Sequence, residues 1–347
     1  MAATIRDVAK LAGVSVATVS RVINQISSVN PDTQKRVKKV MEQLKYEPNK
    51  VAQGLASKKT QTIALILPNI SNPFFSDIVR AVEDVAHSNG FTVILCNSDG
   101  LVSKEQSYIE VLRKKYIDGI VFASNTLRLE DIEQLKKDDI SLVVLDYSTT
   151  MESCSMIRAK NREGARMAVT HLLEIGCKKI AHIYGPIGDQ TAKNRLDGYE
   201  EIVQSFSWYS PTLLVPGHFT INGGFEATKM LLEKHPDVDG IFAGNDLMAV
   251  GVLKALHQMG RKVPEDLAVC GFDGIYLTEI TQPELSTIAQ PIYEMGEKAA
   301  QILINKINGF LEEDNVYELD VALIKRESTK KPIASSFYPH FNRLKDL

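Results

Sequence analysis

Two groups of residues in this chain have types and spacings that could do chemistry. The first lies in the run Thr4 to Asn24, TIRDVAKLAGVSVATVSRVIN, where Ala17, Thr18, Ser20, Arg21 and Asn24 are left for the exterior once apolar positions are assigned to a core. Arg21 can reach a guanine edge or a phosphate, and the small Val16 and Ala17 can touch a thymine methyl but make no bidentate hydrogen bond. The second group follows short apolar runs far downstream: Asn72, Phe74 and Phe75, then Asp146, Asn245 and Asp273. Carboxylates and amides hydrogen-bond adjacent hydroxyls, and flat aromatic faces cover the apolar side of a sugar ring, so this set suits a polyhydroxyl ligand. The sequence holds no GxSxG, no HExxH and no glycine-rich phosphate loop with lysine. Its seven histidines, among them His87, His171, His182 and His218, stand singly. No catalytic residue, metal ligand or cofactor is therefore expected.

The first group sits on a head that reads as three short helices. Ile5, Val8, Ala9 and Ala12 share one face at helical spacing. Gly13 can take the positive φ of a sharp helix exit, and Ser15 stands where an N-cap opens a second helix, Val16 to Ile23. Val16, Val19, Val22 and Ile23 supply its apolar side. Asn30 and Pro31 open a third helix with Val37, Val40, Met41 and Leu44 as its buried stripe. Helix, short turn and helix with a spare polar face is the geometry that lays one helix on the DNA backbone and the next in the major groove. Lys35, Arg36, Lys38 and Lys39 read as a solvated face, some of it within reach of phosphates. Pro48 ends the third helix, and the segment from Asn49 to Ser57, broken by Gly54, would be marginal as an isolated helix. Leu55 either wedges into a base step from the minor groove or docks on the neighbouring domain.

Charge separates this head from the rest. The chain has 347 residues and a net charge of −3, yet residues 1–60 hold 11 Lys/Arg against 4 Asp/Glu. A basic head on an acidic body predicts a nucleic-acid-binding module joined to something else. Hydrophobic content of 44% and charged content of 24% are ordinary for a globular protein, and the length predicts more than one domain. No apolar run approaches the ~18 residues of a membrane span, and charges at Arg6, Asp7 and Lys10 interrupt any leader-like stretch. Cys96, Cys154, Cys177 and Cys270 are far apart and read as reduced thiols of a cytoplasmic protein.

The body alternates strand and helix in two series. Thr62–Leu67, Thr92–Cys96, Gly119–Ala123 and Leu142–Leu145 read as strands of the first series, with helices between them. The alternation restarts after Asn161, with strands at Lys179–Tyr184, Leu213–Val215, Gly240–Ala243 and Leu267–Gly271. Near-continuous apolar strands separated by helices predict two doubly wound parallel sheets with ligand-facing loops at strand C-terminal ends. Leu285 to Pro291 recrosses between lobes, Ile292–Asn308 is helical, and Val316–Ile324 reads as a final strand pair. An Asp or Asn at a strand end can equally be a helix cap. Ser71, Asn97 and Asp246 read as caps, while Asp146, Asn245 and Asp273 stay open between cap and ligand contact.

The opening run, followed by YEPNKVAQGLASKKTQTIAL, resembles the lactose-repressor/galactose-repressor (LacI/GalR) family of bacterial transcription regulators, and the likeness continues to about Glu327. It implies an α/β fold: an N-terminal helix-turn-helix domain over residues 1–47, a hinge helix and linker over 48–60, and a two-lobed periplasmic-binding-protein-like domain over 61–327. Lobe one would hold about 61–161 plus 290–320, lobe two about 162–289 plus the C-terminal strand, and 328–347 would be a tail. The resemblance puts Thr4, Ser15, Val16, Ala17, Thr18, Ser20, Arg21, Asn24, Asn49 and Lys50 at DNA, with Leu55 as the minor-groove wedge. Among ribose-type members, the matching effector positions are Asn72, Phe74, Phe75 and Asp146, then Arg195, Phe219, Asn245 and Asp273, and Gln290 at the crossover. After Asp146 that pattern expects Arg, and Tyr147 stands there instead.

The expected function is a repressor of a carbohydrate operon. A homodimer would bind a near-palindromic double-stranded operator, and a small sugar, ribose first, would bind between the lobes and act through the hinge helices. The sign, inducer or co-repressor, is open. Dimer contacts are expected around Ile78–Val82 and on parts of the second lobe. Two other readings stay beside it: a catabolite-control regulator answering to a phosphorylated carrier protein, and a sugar-modifying enzyme with an accessory head.

Overall fold

A computed structural model describes residues 3–23, 29–46, 60–115, 117–123, 129–146, 154–310 and 313–330. Asn24, Asn49, Lys50, Leu55 and Tyr147 lie outside the described residues. The head is three helices: α1 (Ile5–Ala12), α2 (Val16–Ile23) and α3 (Pro31–Gln43). A reciprocal cap opens α1, where the Thr4 N–H donates to the Asp7 carboxylate at 2.9 Å and the Asp7 N–H donates to the Thr4 hydroxyl. Gly13, at φ +65°, ends α1 in the left-handed region. Ser15 then caps α2, its hydroxyl accepting the Thr18 N–H at 3.1 Å. Val8, Val19 and Val37 are fully buried where the helices meet, with Ala9, Ala12, Val22 and Val40 around them. Val16 departs from its expected place on the apolar side of α2: it is 41% exposed, and Val19 and Val22 carry that side.

The first lobe runs β1 (Thr62–Leu67), α4 (Pro73–Ser88), β2 (Thr92–Asn97), α5 (Val102–Lys114), β3 (Gly119–Phe122), α6 (Leu129–Lys137), β4 (Ser141–Leu145) and β5 (Ser155–Ala159). The second runs α7 (Asn161–Glu174), β6 (Ile180–Tyr184), α8 (Gln190–Val203), β7 (Leu214–Pro216), α9 (Ile221–Lys234), β8 (Gly240–Ala243), α10 (Asp246–Gln258), β9 (Ala268–Asp273) and β10 (Ser286–Ala289). The chain then supplies α11 (Ile292–Ile307), β11 (Val316–Leu319) and β12 (Ala322–Ile324). One sheet has the order β11-β5-β4-β3-β1-β2 and is parallel throughout. The other has the order β12-β10-β9-β8-β6-β7 and is parallel except for the β10/β12 pair. Strand order reverses beside β1 in one sheet and beside β6 in the other, and ligands of open α/β sheets bind at such switch points. Buried runs such as Ile63–Leu67 and Ala268–Asp273 fit strands covered on both faces.

Several expectations change. Ser155–Ala159 is a strand that the alternation had not marked, because Ser155 and Arg158 break its apolar run. The expected final pair, Val316–Ile324, is two strands that do not pair with each other. β11 joins the first sheet beside β5, and β12 joins the second beside β10. The chain thus passes between lobes three times, after β5, after β10 and after β11. Residues 328–330 are no loose tail: Ser328 and Thr329 are buried, with the Ser328 hydroxyl donating to the Val269 carbonyl at 2.7 Å. Ile78 and Val82 are fully buried against α11, so the expected apolar dimer face there is already covered within the chain.

Helix α11 seals the first lobe with Met295, Ala299 and Leu303, all fully buried. A methyl group at Gly119 would come within 2.9 Å of Leu303, which shows how closely helix and sheet approach. Leu303→Ala is expected to lower stability by about 2–5 kcal/mol through the cavity it leaves, and a urea or thermal melt of the purified chain measures it.

Candidate functional site

On the head, the outward face of α2 presents Ser15, Val16, Ala17 and Arg21 exposed, with Thr18 and Ser20 half-buried. Ser15 and Thr18 are partly engaged with one another, their hydroxyls 2.9 Å apart. Thr4 is likewise occupied, its hydroxyl donating to Asp7 at 2.7 Å. Among the described residues of this face, that leaves Arg21 as the long donor, exposed beside small side chains that let a backbone approach closely. Lys35, Arg36, Lys38 and Lys39 are exposed on α3.

In the body, a cavity of about 530 Å³ opens between the lobes at the strand C-terminal ends. The first lobe supplies Asn72, Phe74 and Phe75 after β1, Asp99 after β2 and Asp146 after β4. The second supplies Arg195 from α8, Phe219 after β7, Asn245 after β8 and Asp273 at the end of β9. Eight of the nine positions singled out in the sequence therefore line one cavity. Gln290, the ninth, sits one step behind: its Nε2 donates to Asp273 Oδ1 at 2.8 Å, and its buried Oε1 has no partner among the described residues.

The cation at the centre is fully used. Arg195 is 3% exposed, its Nε donates to Asn161 Oδ1 at 2.9 Å, and its Nη1 meets Asp273 at 3.1 Å and the Gly244 carbonyl. Its guanidinium lies 3.8 Å from the centre of the Phe272 ring and 5.8 Å from that of Phe219. Phe219 can fold in here because residue 185 is glycine, where a Cβ would fall 2.3 Å from the ring. Asn161, which the sequence had marked only as a boundary, donates from Nδ2 to Asp146 Oδ1 at 3.4 Å and so bridges Asp146 to Arg195. Its signal was its place, the first residue of a helix directly after a crossing. Five non-glycine cleft residues hold left-handed backbone: Asp99 at φ 55°, Asp146 at 49°, His218 at 54°, Phe219 at 56° and Asp273 at 117°. Such conformations cost about 1–3 kcal/mol each and gather at functional sites.

The capping assignments shift. Asn72 caps α4, accepting the Phe74 N–H at 3.1 Å, so Ser71 does not. Asn245 caps α10, accepting the Met248 N–H at 2.9 Å, so Asp246 does not. Asn97 accepts the Ile70 N–H at 2.8 Å and braces the β1 loop instead of opening a helix. Asp99, Asp189 and His218, from loops, and Thr191, from the first turn of α8, line the same cavity without a distinctive pattern in the sequence.

Burial dominates the electrostatics. It pushes the Asp146 carboxyl up to about 6, against the opposing pull of Arg195 and the Ala159 N–H. It pushes Asp273 up to about 6 as well, again against Arg195 and the Gln290 amide. His182, sealed between Phe242 and Tyr199, is pushed down to about 4 by burial, stays neutral, and bonds the Phe242 carbonyl.

Residues 4–49 match the bacterial regulatory proteins of the lacI family, and residues 60–327 match the periplasmic binding proteins and sugar binding domain of that family. The chain belongs to the LacI family. It is a DNA-binding transcriptional regulator and not an enzyme. The ribose operon repressor of Halalkalibacterium halodurans is 42% identical over 94% of this chain and 97% of its own length. A lac repressor dimer bound to operator and the anti-inducer ONPF superposes with a TM-score of 0.81 at 28% identity, covering 95% of this chain and 99% of the other. A LacI family regulator from Enterococcus faecium with bound ribose superposes with a TM-score of 0.71 at 32% identity, covering 77% of this chain and 98% of the other. Among the described residues no helix is long and apolar enough to cross a membrane.

A carboxyl whose folded pKa is raised to about 6 binds its proton more tightly folded than unfolded. Stability from Asp146 therefore grows as pH falls from about 6 toward 4 and is lost as pH rises through that window. Relative to Asp146→Asn, the wild-type chain is expected to gain up to about 1 kcal/mol between pH 7 and pH 5. Parallel thermal melts at the two pH values test this, and an unchanged difference would count against the raised carboxyl.

Proposed function

We propose that this regulator represses a carbohydrate-utilisation operon, that it does so as a homodimer on a near-palindromic operator, and that a small neutral sugar of the ribose type, bound between the lobes, controls it. The observation that carries the reading is the convergence of Asn72, Phe74, Phe75, Asp146, Arg195, Phe219, Asn245 and Asp273 on one cavity. Pentose hydroxyls can donate to Asp146 and Asp273 and accept from the amides of Asn72 and Asn245, while Phe74, Phe75 and Phe219 offer ring faces. Gln290 holds Asp273 in place and adds one open acceptor at Oε1. Among the described residues the cleft is lined by Asp99, Asp146, Asp189 and Asp273 and by one arginine, Arg195, which is already engaged with Asp273, Asn161 and Gly244, while Asp99 is paired with Lys104. A neutral ligand suits that balance, since an anion would face the Asp146 and Asp273 carboxylates.

On DNA, Ser15, Val16, Ala17, Thr18, Ser20, Arg21 and Asn24 form the major-groove reading set, and Thr4, Asn49 and Lys50 hold the backbone. Leu55, one from each subunit, wedges the minor groove at the operator centre. The small side chains beside Arg21 leave it as the main direct reader, so DNA shape at the wedge carries much of the remaining selectivity. A sugar that binds one arrangement of the lobes better than the other shifts the hinge segments with it.

Isothermal titration with D-ribose tests the cleft. Wild type is expected to bind, and Asp273→Asn or Arg195→Ala to lose at least about ten-fold in affinity, since each leaves a buried polar partner unmet. Loss of binding should leave duplex binding in place. A separate titration checks the head: Arg21→Ala should cost about 1–3 kcal/mol on a selected duplex and much less on random DNA. Leu55→Ala should weaken the selected duplex while leaving D-ribose affinity unaltered; equal duplex affinity in the two proteins would refute the wedge.

A further inference from the structure

Asp246 is fully buried at the first position of α10, yet it neither caps that helix nor lines the cavity. Its two oxygens instead collect three donors. Oδ2 accepts the Gly274 N–H at 2.7 Å and the Ile275 N–H at 3.0 Å, and Oδ1 accepts the Thr287 hydroxyl at 2.6 Å. The helix N-terminus beneath adds its own positive potential. The strand above is shaped to admit the group, for a Cβ at Gly271 would fall 2.3 Å from Asp246 Oδ1.

The three donors sit on either side of cleft residues. Gly274 and Ile275 directly follow Asp273, whose left-handed backbone at φ 117° turns the chain sharply. Thr287 lies on β10, the strand that runs into Gln290 and the second crossing between lobes. Ile275 itself points away from the cleft. It is 1% exposed and belongs to the first-lobe apolar cluster with Ile78, Ile292 and Met295, and Leu247 and Leu277 pack around the same cluster. Residues of the second lobe thus plug the core of the first within two positions of a cleft carboxylate.

We propose that Asp246 is a positioning residue: it shapes the Asp273–Gly274–Ile275 turn so that one end presents a carboxylate to the cleft and the other is seated in the first-lobe core, which ties occupancy of the cleft to the packing between lobes. The proposal rests on the cleft being the effector site. A ligand that pulls on Asp273 moves a turn too short and too firmly held to absorb the shift, so Ile275 must re-seat. The contact between lobes then changes in one step, because close-packed interfaces have discrete arrangements.

The test uses the full chain, D-ribose, and a duplex enriched from a random pool by the wild-type protein. Three quantities are measured: D-ribose affinity, duplex affinity with and without D-ribose, and melting temperature. Coupled sites typically show about 5–150-fold effects on one another. Ile275→Ala keeps the Asp246 bonds and is expected to bind D-ribose within about three-fold of wild type, while its ribose-induced change in duplex affinity falls below about a third of the wild-type value. Asp246→Asn is expected to lose D-ribose affinity by about ten-fold or more, because an amide cannot accept all three donors. Thr287→Ser, which keeps the hydroxyl, should restore what Thr287→Val loses. A purely structural role would lower melting temperature and leave the ribose-induced ratio intact in Ile275→Ala, and that result overturns the proposal. Should Asp246→Asn not fold, Ile275→Ala and the Thr287 pair decide the matter alone. A wild-type chain that binds no D-ribose removes the cleft reading first, and this proposal with it. A responsive wild type beside an equally responsive Ile275→Ala removes this proposal only.

Discussion

A guanidinium that is 3% exposed cannot stay in the body of a protein unless its charge and its donors are met where it lies. Arg195 meets that demand with Asp273 at the end of β9, the Gly244 carbonyl after β8, Asn161 at the start of α7 and the Phe272 ring. These partners come from three places in the chain, with β9 supplying both Asp273 and Phe272, so satisfying one cation fixes the relative positions of three chain ends at the rim of the second sheet. Removing a partner of such a group costs about 3–5 kcal/mol, because a buried charge is left uncompensated. The reciprocal demand acts on Asp273, whose carboxyl is pushed upward by burial and pulled back by the same arginine. Cleft geometry and cleft electrostatics are two consequences of one constraint.

The parallel sheets bring the remaining groups to the same place. In a parallel sheet every strand ends at the same edge, and the helix that follows begins there with four unsatisfied N–H groups. Asn72, Asp189, Thr220 and Asn245 cap α4, α8, α9 and α10, and all four also line the cavity. Cap and ligand contact are therefore not competing roles here. A carboxamide spends one oxygen lone pair on a backbone N–H and keeps its NH2 group for something else. At each of these four helix starts the capping side chain already takes one leading N–H, that of Phe74, Ala192, Gly223 and Met248 in turn.

This overlap explains what could be read from the sequence and what could not. Apolar runs such as Ile63–Leu67 and Ile241–Ala243 carry the two sheets plainly, since strands buried on both faces leave a continuous signal. β5 was hidden because Ser155 and Arg158 interrupt its apolar run, and the separation of β11 from β12 was hidden because pairing partners are a long-range property. In the cleft, side chains that touch ligand space from strand ends were legible by type. Asn161 and Asp246 were not, because their work is to hold other side chains, and nothing in their immediate neighbours reveals a partner 34 or 29 residues away. Ile78 and Val82 looked like an outer apolar face only because α11, which covers them, lies more than two hundred residues downstream in the chain.

The same long-range bonds decide how the receptor can move. A chain of hydrogen bonds runs from Asp146 in the first lobe through Asn161 to Arg195, and from there through Asp273 to Gln290 at the second crossing. Its interior members are satisfied and close-packed, so they have few alternative arrangements at low cost. Motion must be taken up where the chain ends: at the three short crossings, at the Gln290 oxygen that has no partner among the described residues, and at Asp146, whose backbone is already held in the left-handed region. A ligand bonded to both Asp146 and Asp273 closes that chain into a ring across the cleft. It can bias the lobes only by the difference between its affinities for the two arrangements. Contacts to one lobe alone would raise affinity without moving the switch, so the groups that matter for response are those the ligand can reach only when both walls are near.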